Sequence, residues 1–84
     1  MNTYTKQEIA YCKNRKRLGK SDKYRNVSKE SMPDETIIYI ADITRNKRRY
    51  SSYHYTEREA ALAIDKYLIT INEEPINILK KVVK

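Results

Sequence analysis

Residues Lys23–Ile71 read KYRNVSKESMPDETIIYIADITRNKRRYSSYHYTEREAALAIDKYLITI, which predicts a small sheet followed by one helix. Within this stretch, Thr36–Arg45 is the best strand in the chain, because it is rich in β-branched residues and alternates in character. The alternation places Tyr39, Ala41 and Ile43 on one face of the strand and Ile38, Ile40, Asp42 and Thr44 on the other.

Two further strands flank this one. Tyr24–Lys29 precedes it, and the residues between them, around Pro33, are typical of a turn. On the other side, Arg45-Asn46-Lys47 predicts a tight turn, because Asn46 tolerates a positive φ, and a strand follows over Lys47–Tyr53. We therefore expect a three-stranded antiparallel sheet.

The helix has clear start and stop signals. Thr56-x-x-Glu59 is a capping box, and acidic residues in the first turn suit the helix dipole. Asn72 and Pro75 mark its end. An apolar stripe with small residues allows the helix to lie close to the sheet, and its members are Ala60, Ile64, Tyr67, Leu68 and Ile71. The predicted fold class is α+β, a three-stranded antiparallel sheet packed on one C-terminal helix.

The first 22 residues are strongly basic. Thr5-x-x-Glu8 is a second capping box, and Gly19 is a suitable helix stop, so a weakly amphipathic helix is predicted within Tyr4–Gly19. A disordered basic tail is the alternative, since short helices are marginal in water. We expect residues 1–22 to form this helix or flexible arm, 23–78 the folded domain and 79–84 a basic tail.

The composition favours a polyanionic partner. The 84 residues include eighteen basic and eleven acidic side chains, for a formal net charge of +7. Such an excess points to DNA, RNA or an anionic membrane surface, and a solvated basic surface without a partner is the alternative. A chain of this length builds only a small core, so marginal stability or stabilisation by a partner is expected.

Several function classes are disfavoured by what the sequence lacks. Cys12 and His54 are the only cysteine and histidine, so no disulfide or zinc site is expected. No nucleophile–base pair or phosphate loop is evident, and we expect no cofactor and no enzymatic activity. No apolar run approaches the ~20 residues that span a bilayer. We expect an intracellular protein, in a nucleus, nucleoid or virion, with no membrane association.

Four motifs together resemble the AP2/ERF-type DNA-binding domain of plant, apicomplexan and phage-associated proteins. Tyr24-Arg25-Asn26-Val27 is similar to the opening Y-R-G-V, and Tyr39–Ile43 (YIADI) to the W/F-x-A-E-I strand. Lys47–Tyr55 (KRRYSSYHY) resembles the third strand. The most specific match is Thr56–Asp65 (TEREAALAID), which looks like the helix start T-x-E-E-A-A-x-A-Y-D. The resemblance covers about residues 23–78.

This resemblance implies that the strands lie in the DNA major groove and that the helix packs on the far side of the sheet. It also implies that Tyr39, Ala41 and Ile43 face the helix, in agreement with their shared face of the strand. Tyr50 would replace a family tryptophan, and the register of the third strand is left open by one residue. The implied base contacts are Arg25, Arg48, Tyr50, Asp42 and Thr44. Basic side chains suited to phosphate are Arg45, Lys47, Arg49, Lys23, Arg15, Lys16 and Arg17.

The leading hypothesis is sequence-preferring binding of double-stranded DNA, in transcription regulation. An arginine fork matches the O6 and N7 atoms of guanine, which makes Arg25 and Arg48 the candidate base readers. Non-specific nucleic-acid binding in chromosome or virion packaging is one alternative, and RNA binding is another. The basic residues of Arg45–Arg49 could also be no more than a solvated hairpin tip. A homodimer is a further possibility, because one small sheet covers few base pairs.

Overall fold

The computed structural model describes residues 4–79, which form an antiparallel sheet and two helices. The sheet has four strands in the order β1-β2-β3-β4, so each strand pairs with its neighbour in sequence. In chain order the elements are α1 (Lys6–Tyr11), β1 (Lys16–Lys20), β2 (Val27–Ser31), β3 (Ile37–Arg45), β4 (Arg48–His54) and α2 (Glu57–Thr70). The α+β class with an antiparallel sheet is confirmed.

The predicted count of three strands is wrong, because part of the basic N-terminal segment is a strand. The capping box at Thr5 forms as predicted, but α1 ends at Tyr11 and buries only Ile9. Residues beyond it offer no apolar stripe to continue a helix, whereas pairing with β2 satisfies their backbone groups. Gly19 lies at an irregularity of this β1–β2 pairing, with φ 114°, and does not end a helix. Residues 16–20 therefore belong to the sheet and not to a separate arm.

The main core lies between the sheet and α2. Val27, Ala41 and Ile43 pack there against α2, with Tyr39 beside them, which confirms the predicted helix-facing set of β3. The alanines of α2 lie at the interface, where their small size allows close approach. The apolar residues of α2 that are fully buried in this core are Ala60, Ala61, Ile64 and Leu68.

A second, smaller core covers one end of the opposite sheet face. Ile38 and Ile40 point away from α2 and pack against Ile9 of α1 and Met32. This burial explains why the face that was predicted to meet DNA carries two isoleucines, Ile38 and Ile40. The other end of this face, around Asp42 and Thr44, is half-buried or exposed.

Both ends of α2 lie where the sequence predicts, but the capping box at Thr56 forms only in part. The Glu59 carboxylate accepts the Thr56 hydroxyl at 2.9 Å and not the Thr56 N–H. The Thr56 hydroxyl accepts the Glu59 N–H at 3.1 Å, which caps the first turn. At the other end Asn72 has φ 63°, and the Glu73 N–H donates to the Leu68 carbonyl at 2.8 Å. Together with the bond from the Asn72 N–H to the Ile69 carbonyl, this is a Schellman motif.

Asp65 joins the C-terminal segment to α2. Its carboxylate is fully buried and accepts four backbone N–H bonds, from residues 76 to 79, at 2.5 to 2.9 Å. Burial alone would raise the pKa of Asp65, but these four bonds outweigh it and leave the pKa lowered. Asp65 is therefore a buried residue of α2 and not a surface charge. Of the predicted basic tail, only Leu79 lies within the described residues.

The β3–β4 turn provides a test of backbone strain. Asn46 and Lys47 have φ of 54° and 63°, as in a two-residue turn of type I′. Lys47 is a poor residue for this conformation, and glycine is well suited to it. Lys47→Gly is expected to raise the free energy of unfolding by about 1 kcal/mol. Urea denaturation of this variant and of Asn46→Gly, which should change little, checks the effect; an unchanged Lys47→Gly midpoint would contradict it.

Candidate nucleic-acid interface

The sheet surface opposite α2 that α1 leaves uncovered is here called the open face. Strand pairing places Arg17, Ser28, Asp42 and Ser51 on the same side of four adjacent strands. A shallow groove of about 370 Å³ lies along it, with five basic and two acidic side chains in its lining. Its charged members are Arg15, Arg17, Lys20, Lys29, Arg49, Glu30 and Asp42. The surface is thus basic, polar and spread across all four strands.

Arg49 is the best-positioned arginine of the open face. Its Nε donates to Asp42 Oδ1 at 2.9 Å and its Nη2 to Asp42 Oδ2 at 2.7 Å, so the ion pair is bidentate. These hydrogen bonds hold the pKa of the Asp42 carboxyl below its usual value. The Arg49 side chain is still 70% exposed. Because the carboxylate engages one edge of the guanidinium, Nη1–H and the second Nη2–H remain as a parallel pair of donors.

Arg15 anchors the end of the open face nearest α1. Its guanidinium carbon lies 5.2 Å from the centre of the Tyr53 ring, and its Nε lies 3.4 Å from Glu30. The side chain is only 20% exposed, and its Nη1 is buried without a hydrogen-bond partner. Arg15 therefore covers Tyr53 and joins β2 to β4 across the sheet.

The loop between β1 and β2 extends the basic surface. A second groove, of about 710 Å³, includes Lys23 and Arg25 and shares Lys20, Ser28 and Asp42 with the first. Asn77 holds this loop, because its amide accepts the Arg25 N–H at 2.7 Å and donates to the Arg25 carbonyl at 3.0 Å. The exposed Arg25 side chain is thereby presented beside the open face.

Asn26 lies where the AP2-type motif has glycine. Its φ of 63° is the left-handed conformation that glycine adopts easily and that asparagine tolerates. The Asn26 amide donates to the Asp42 carbonyl at 3.1 Å, and the Asn26 carbonyl accepts the Asp42 N–H at 3.0 Å. The loop is therefore joined directly to the strand that carries Asp42.

Two predicted base contacts lie on the other side of the sheet. Tyr50 pairs with Ile43 and stacks on Tyr67 of α2, with ring centres 4.5 Å apart and planes 7° from parallel. Arg48 pairs with Arg45 and lies two residues before Tyr50, so its side chain is on the same side of the sheet as that of Tyr50. The prediction that Arg48 and Tyr50 share a face with Asp42 is wrong by one residue. In the actual register Arg49 lies beside Asp42 and Thr44.

The other predicted phosphate contacts divide between the two sides. Arg15, Arg17 and Lys23 lie on the open face or beside it. Arg45 instead pairs with Glu73, with its Nε 3.3 Å from the carboxylate. Lys47 is in the hairpin turn, and Lys16 alternates to the side opposite Arg17.

The structure also adds residues that the sequence analysis did not select. Lys20, Ser28, Glu30 and Ser51 line the open face. Lys20 was missed because the sequence predicted a helix over this segment, whereas Lys16–Lys20 is a strand. The sequence KRLGK shows no alternation of polar and apolar residues, so it carries no local signal for a strand.

Comparison of the chain with models of known protein families, with curated proteins and with solved structures finds no match. Within residues 4–79, no helix is long and apolar enough to cross a membrane. The same residues contain no cluster of three or more side chains suited to holding a metal ion.

Proposed function

We propose that the protein binds double-stranded DNA through the open face of its sheet, with β3 and β4 directed into the major groove. The observation that carries this proposal is Arg49, which Asp42 holds bidentately among the basic side chains of the open face. The remaining pair of N–H donors matches the O6 and N7 acceptors of guanine. Arg49, rather than Arg48, is therefore the proposed base reader of β4.

The surrounding side chains suit the DNA backbone. Arg17, Lys20 and Lys23 lie around the same surface, and Arg25 extends it along the β1–β2 loop. Such flexible cations are typical of phosphate contacts, which orient a protein on a duplex without reading its sequence. A two-stranded ribbon fits the major groove, which is about 12 Å wide. The proposed arrangement places β3–β4 in the groove and the loop cations on its rim.

Duplex DNA is favoured over single-stranded RNA by the state of the tyrosines. Recognition of single strands relies on aromatic rings that are free to stack on bases. Two tyrosines of β4 are not free in this way, because Tyr50 stacks on Tyr67 and Arg15 covers Tyr53. Stacking of RNA bases on Tyr50 or Tyr53 would have to displace these contacts.

Sequence-preferring binding in transcription regulation remains the preferred form of the proposal, in keeping with the AP2-type resemblance. Packaging of a chromosome or virion is the second candidate, since the basic surface would also support non-specific binding. Titration of the chain against all short duplex sequences at near-physiological salt distinguishes the two. A preferred motif is expected, whereas equal affinity for every duplex would favour packaging, and no affinity would contradict both.

The salt dependence of binding tests the proposed interaction with phosphates. For each phosphate that the protein no longer neutralises, the slope of log K against log salt should become less steep by about 0.9. The double variant Arg17→Ala/Lys20→Ala is therefore expected to reduce the slope by about 1.8. A variant with the same change in charge, Arg58→Ala/Lys66→Ala, removes exposed cations of α2 and should leave the slope unchanged. Equal reductions in both variants would contradict a localised interface.

A further inference from the structure

The two edge strands of the sheet differ in how well they are protected against pairing with another chain. β1 is basic and exposed along its whole length, and its pairing is irregular at Gly19. Charge and irregularity are the usual means by which an edge strand avoids pairing with another chain. β4 is the opposite edge, and its central residues, Tyr50–Tyr53, carry no charge and pair with β3 in unbroken register. Between Arg49 and His54, β4 therefore lacks the protection that β1 has.

Strand alternation identifies the backbone groups that β4 directs outward. A two-residue turn makes Arg45 and Arg48 a hydrogen-bonded pair, and every second pair along the hairpin is then of the same kind. Asp42, which pairs with Ser51, agrees with this pattern because its N–H donates to Asn26 on the other side. By the same alternation, the N–H and C=O groups of Arg49, Ser51 and Tyr53 point away from β3.

We propose that β4 is a self-association edge, at which two copies of this chain pair antiparallel about a two-fold axis through Ser51. In this register the outward groups of Ser51 meet those of Ser51 in the second copy, and Arg49 meets Tyr53. Six backbone hydrogen bonds are thereby formed, and the two sheets become one. This inference does not depend on DNA binding.

The side chains favour a second copy in this register. Arg49 opposes Tyr53, Tyr50 opposes Ser52 and Arg48 opposes His54, so no arginine faces another arginine. Burial and, to a lesser extent, Lys6 lower the pKa of His54, which favours the uncharged form of the imidazole that faces Arg48. A register centred on Arg49 would instead set two like charges opposite each other, which is destabilising.

The α2 side of the molecule leaves room for the second strand. A groove of about 460 Å³ lies between β4 and α2, lined in part by Tyr50, Leu62 and Ala63. In the proposed dimer, side chains on the α2 side of the second β4 would enter this groove. Pairing ends at Tyr53, before Tyr55, whose hydroxyl donates to the Tyr4 carbonyl at 3.1 Å.

Sedimentation equilibrium of the full chain without DNA, over a range of protein concentrations, tests the proposal. The unaltered chain is expected to dimerise reversibly. Ser51→Pro removes the outward N–H at the axis and should weaken dimerisation roughly tenfold or more, while Ser51→Thr, which keeps the N–H, should not. A chain that stays monomeric throughout, or a folded Ser51→Pro variant that dimerises unchanged, would overturn the inference.

A cross-linking measurement covers the case in which Ser51→Pro does not fold. Hydrogen-bonded antiparallel pairs have Cα atoms about 5.5 Å apart, which is within the range that a disulfide spans. In a Cys12→Ser background, Ser51→Cys should form a covalent dimer under mild oxidation. Thr44→Cys, an exposed position on the open face, serves as the matched control. Equal cross-linking at the two positions would overturn the proposed register.

Discussion

Asp65→Ala is expected to lower the free energy of unfolding by about 3–5 kcal/mol, because it leaves four partly buried N–H groups without an acceptor. A chain of this length has a total stability of roughly 4–13 kcal/mol. The loss is therefore a large share of the total, and the C-terminal segment should detach from α2. Thermal and urea denaturation followed by circular dichroism measure the effect.

The controls for this prediction separate the carboxylate from the helix that carries it. Lys66→Ala changes the exposed neighbour of Asp65 and should leave the midpoint of unfolding almost unchanged. Asp65→Asn keeps the volume but offers one acceptor oxygen in place of two, so it should also destabilise the fold. If Asp65→Ala unfolded at the same urea concentration as the unaltered chain, the four hydrogen bonds would have no energetic role.

The pH dependence of stability follows from the lowered pKa of Asp65. A carboxyl whose pKa is lower in the folded state contributes its full stabilisation above its unfolded value, about 3.9. That contribution declines as the pH falls through the lower folded pKa. The stability difference between the unaltered chain and Asp65→Asn should therefore be constant near neutral pH and shrink below about pH 4. A difference that grew on acidification would contradict this direction.

Arg49→Ala is expected to cost about 1–3 kcal/mol of DNA-binding free energy and to abolish preference at one guanine of the motif. The reason is that Asp42 holds the guanidinium with two donors directed outward, so little side-chain entropy is lost on binding. Fluorescence anisotropy with the preferred duplex and with duplexes changed at single positions measures both effects.

Arg48→Ala is the matched control, since it removes the same charge from the adjacent residue on the other side of the sheet. It should weaken binding far less and leave the motif unchanged. Arg49→Lys keeps the charge but lacks the planar fork, so it should retain affinity for non-specific DNA while losing the guanine preference. If Arg48→Ala and Arg49→Ala had equal effects on every sequence, Arg49 would be reassigned to phosphate.

Local signals explain why much of the fold could be predicted. The alternation of Thr36–Arg45 and the capping box at Thr56 depend on neighbouring residues alone, and both elements form close to the predicted positions. The same alternation places Tyr39, Ala41 and Ile43 on one face, and the AP2-type resemblance implied that this face meets α2, as it does. Asn72 likewise ends α2 by its own conformation.

The features that were missed depend on distant partners. Lys16–Lys20 has little strand preference of its own and is a strand because β2 is available to pair with it. The sequence of α2 alone gives no sign that Asp65 is buried. Its burial depends on residues 76 to 79, which fold back along α2 and donate their N–H groups to its carboxylate. Neither pairing leaves a periodic pattern in the sequence.

The register of β4 is an intermediate case. A two-residue turn at Asn46 and Lys47 makes Arg45 and Arg48 partners and places Arg49 beside Thr44. A strand that begins one residue earlier, at Lys47, gives the opposite parity and exchanges Arg48 for Arg49. The prediction of the candidate site therefore depended on the length of a single turn.

The central claim is that the open face of the sheet, and not α2, contacts duplex DNA. Its most direct test is a titration of the isotopically labelled chain with a short duplex, followed by the amide and arginine Nε signals in NMR spectra. The proposal predicts large changes at Arg17, Asp42, Arg49 and Ser51, with small changes at Leu62 and Lys66. Changes concentrated on α2, with the signals of the open face undisturbed, would contradict it.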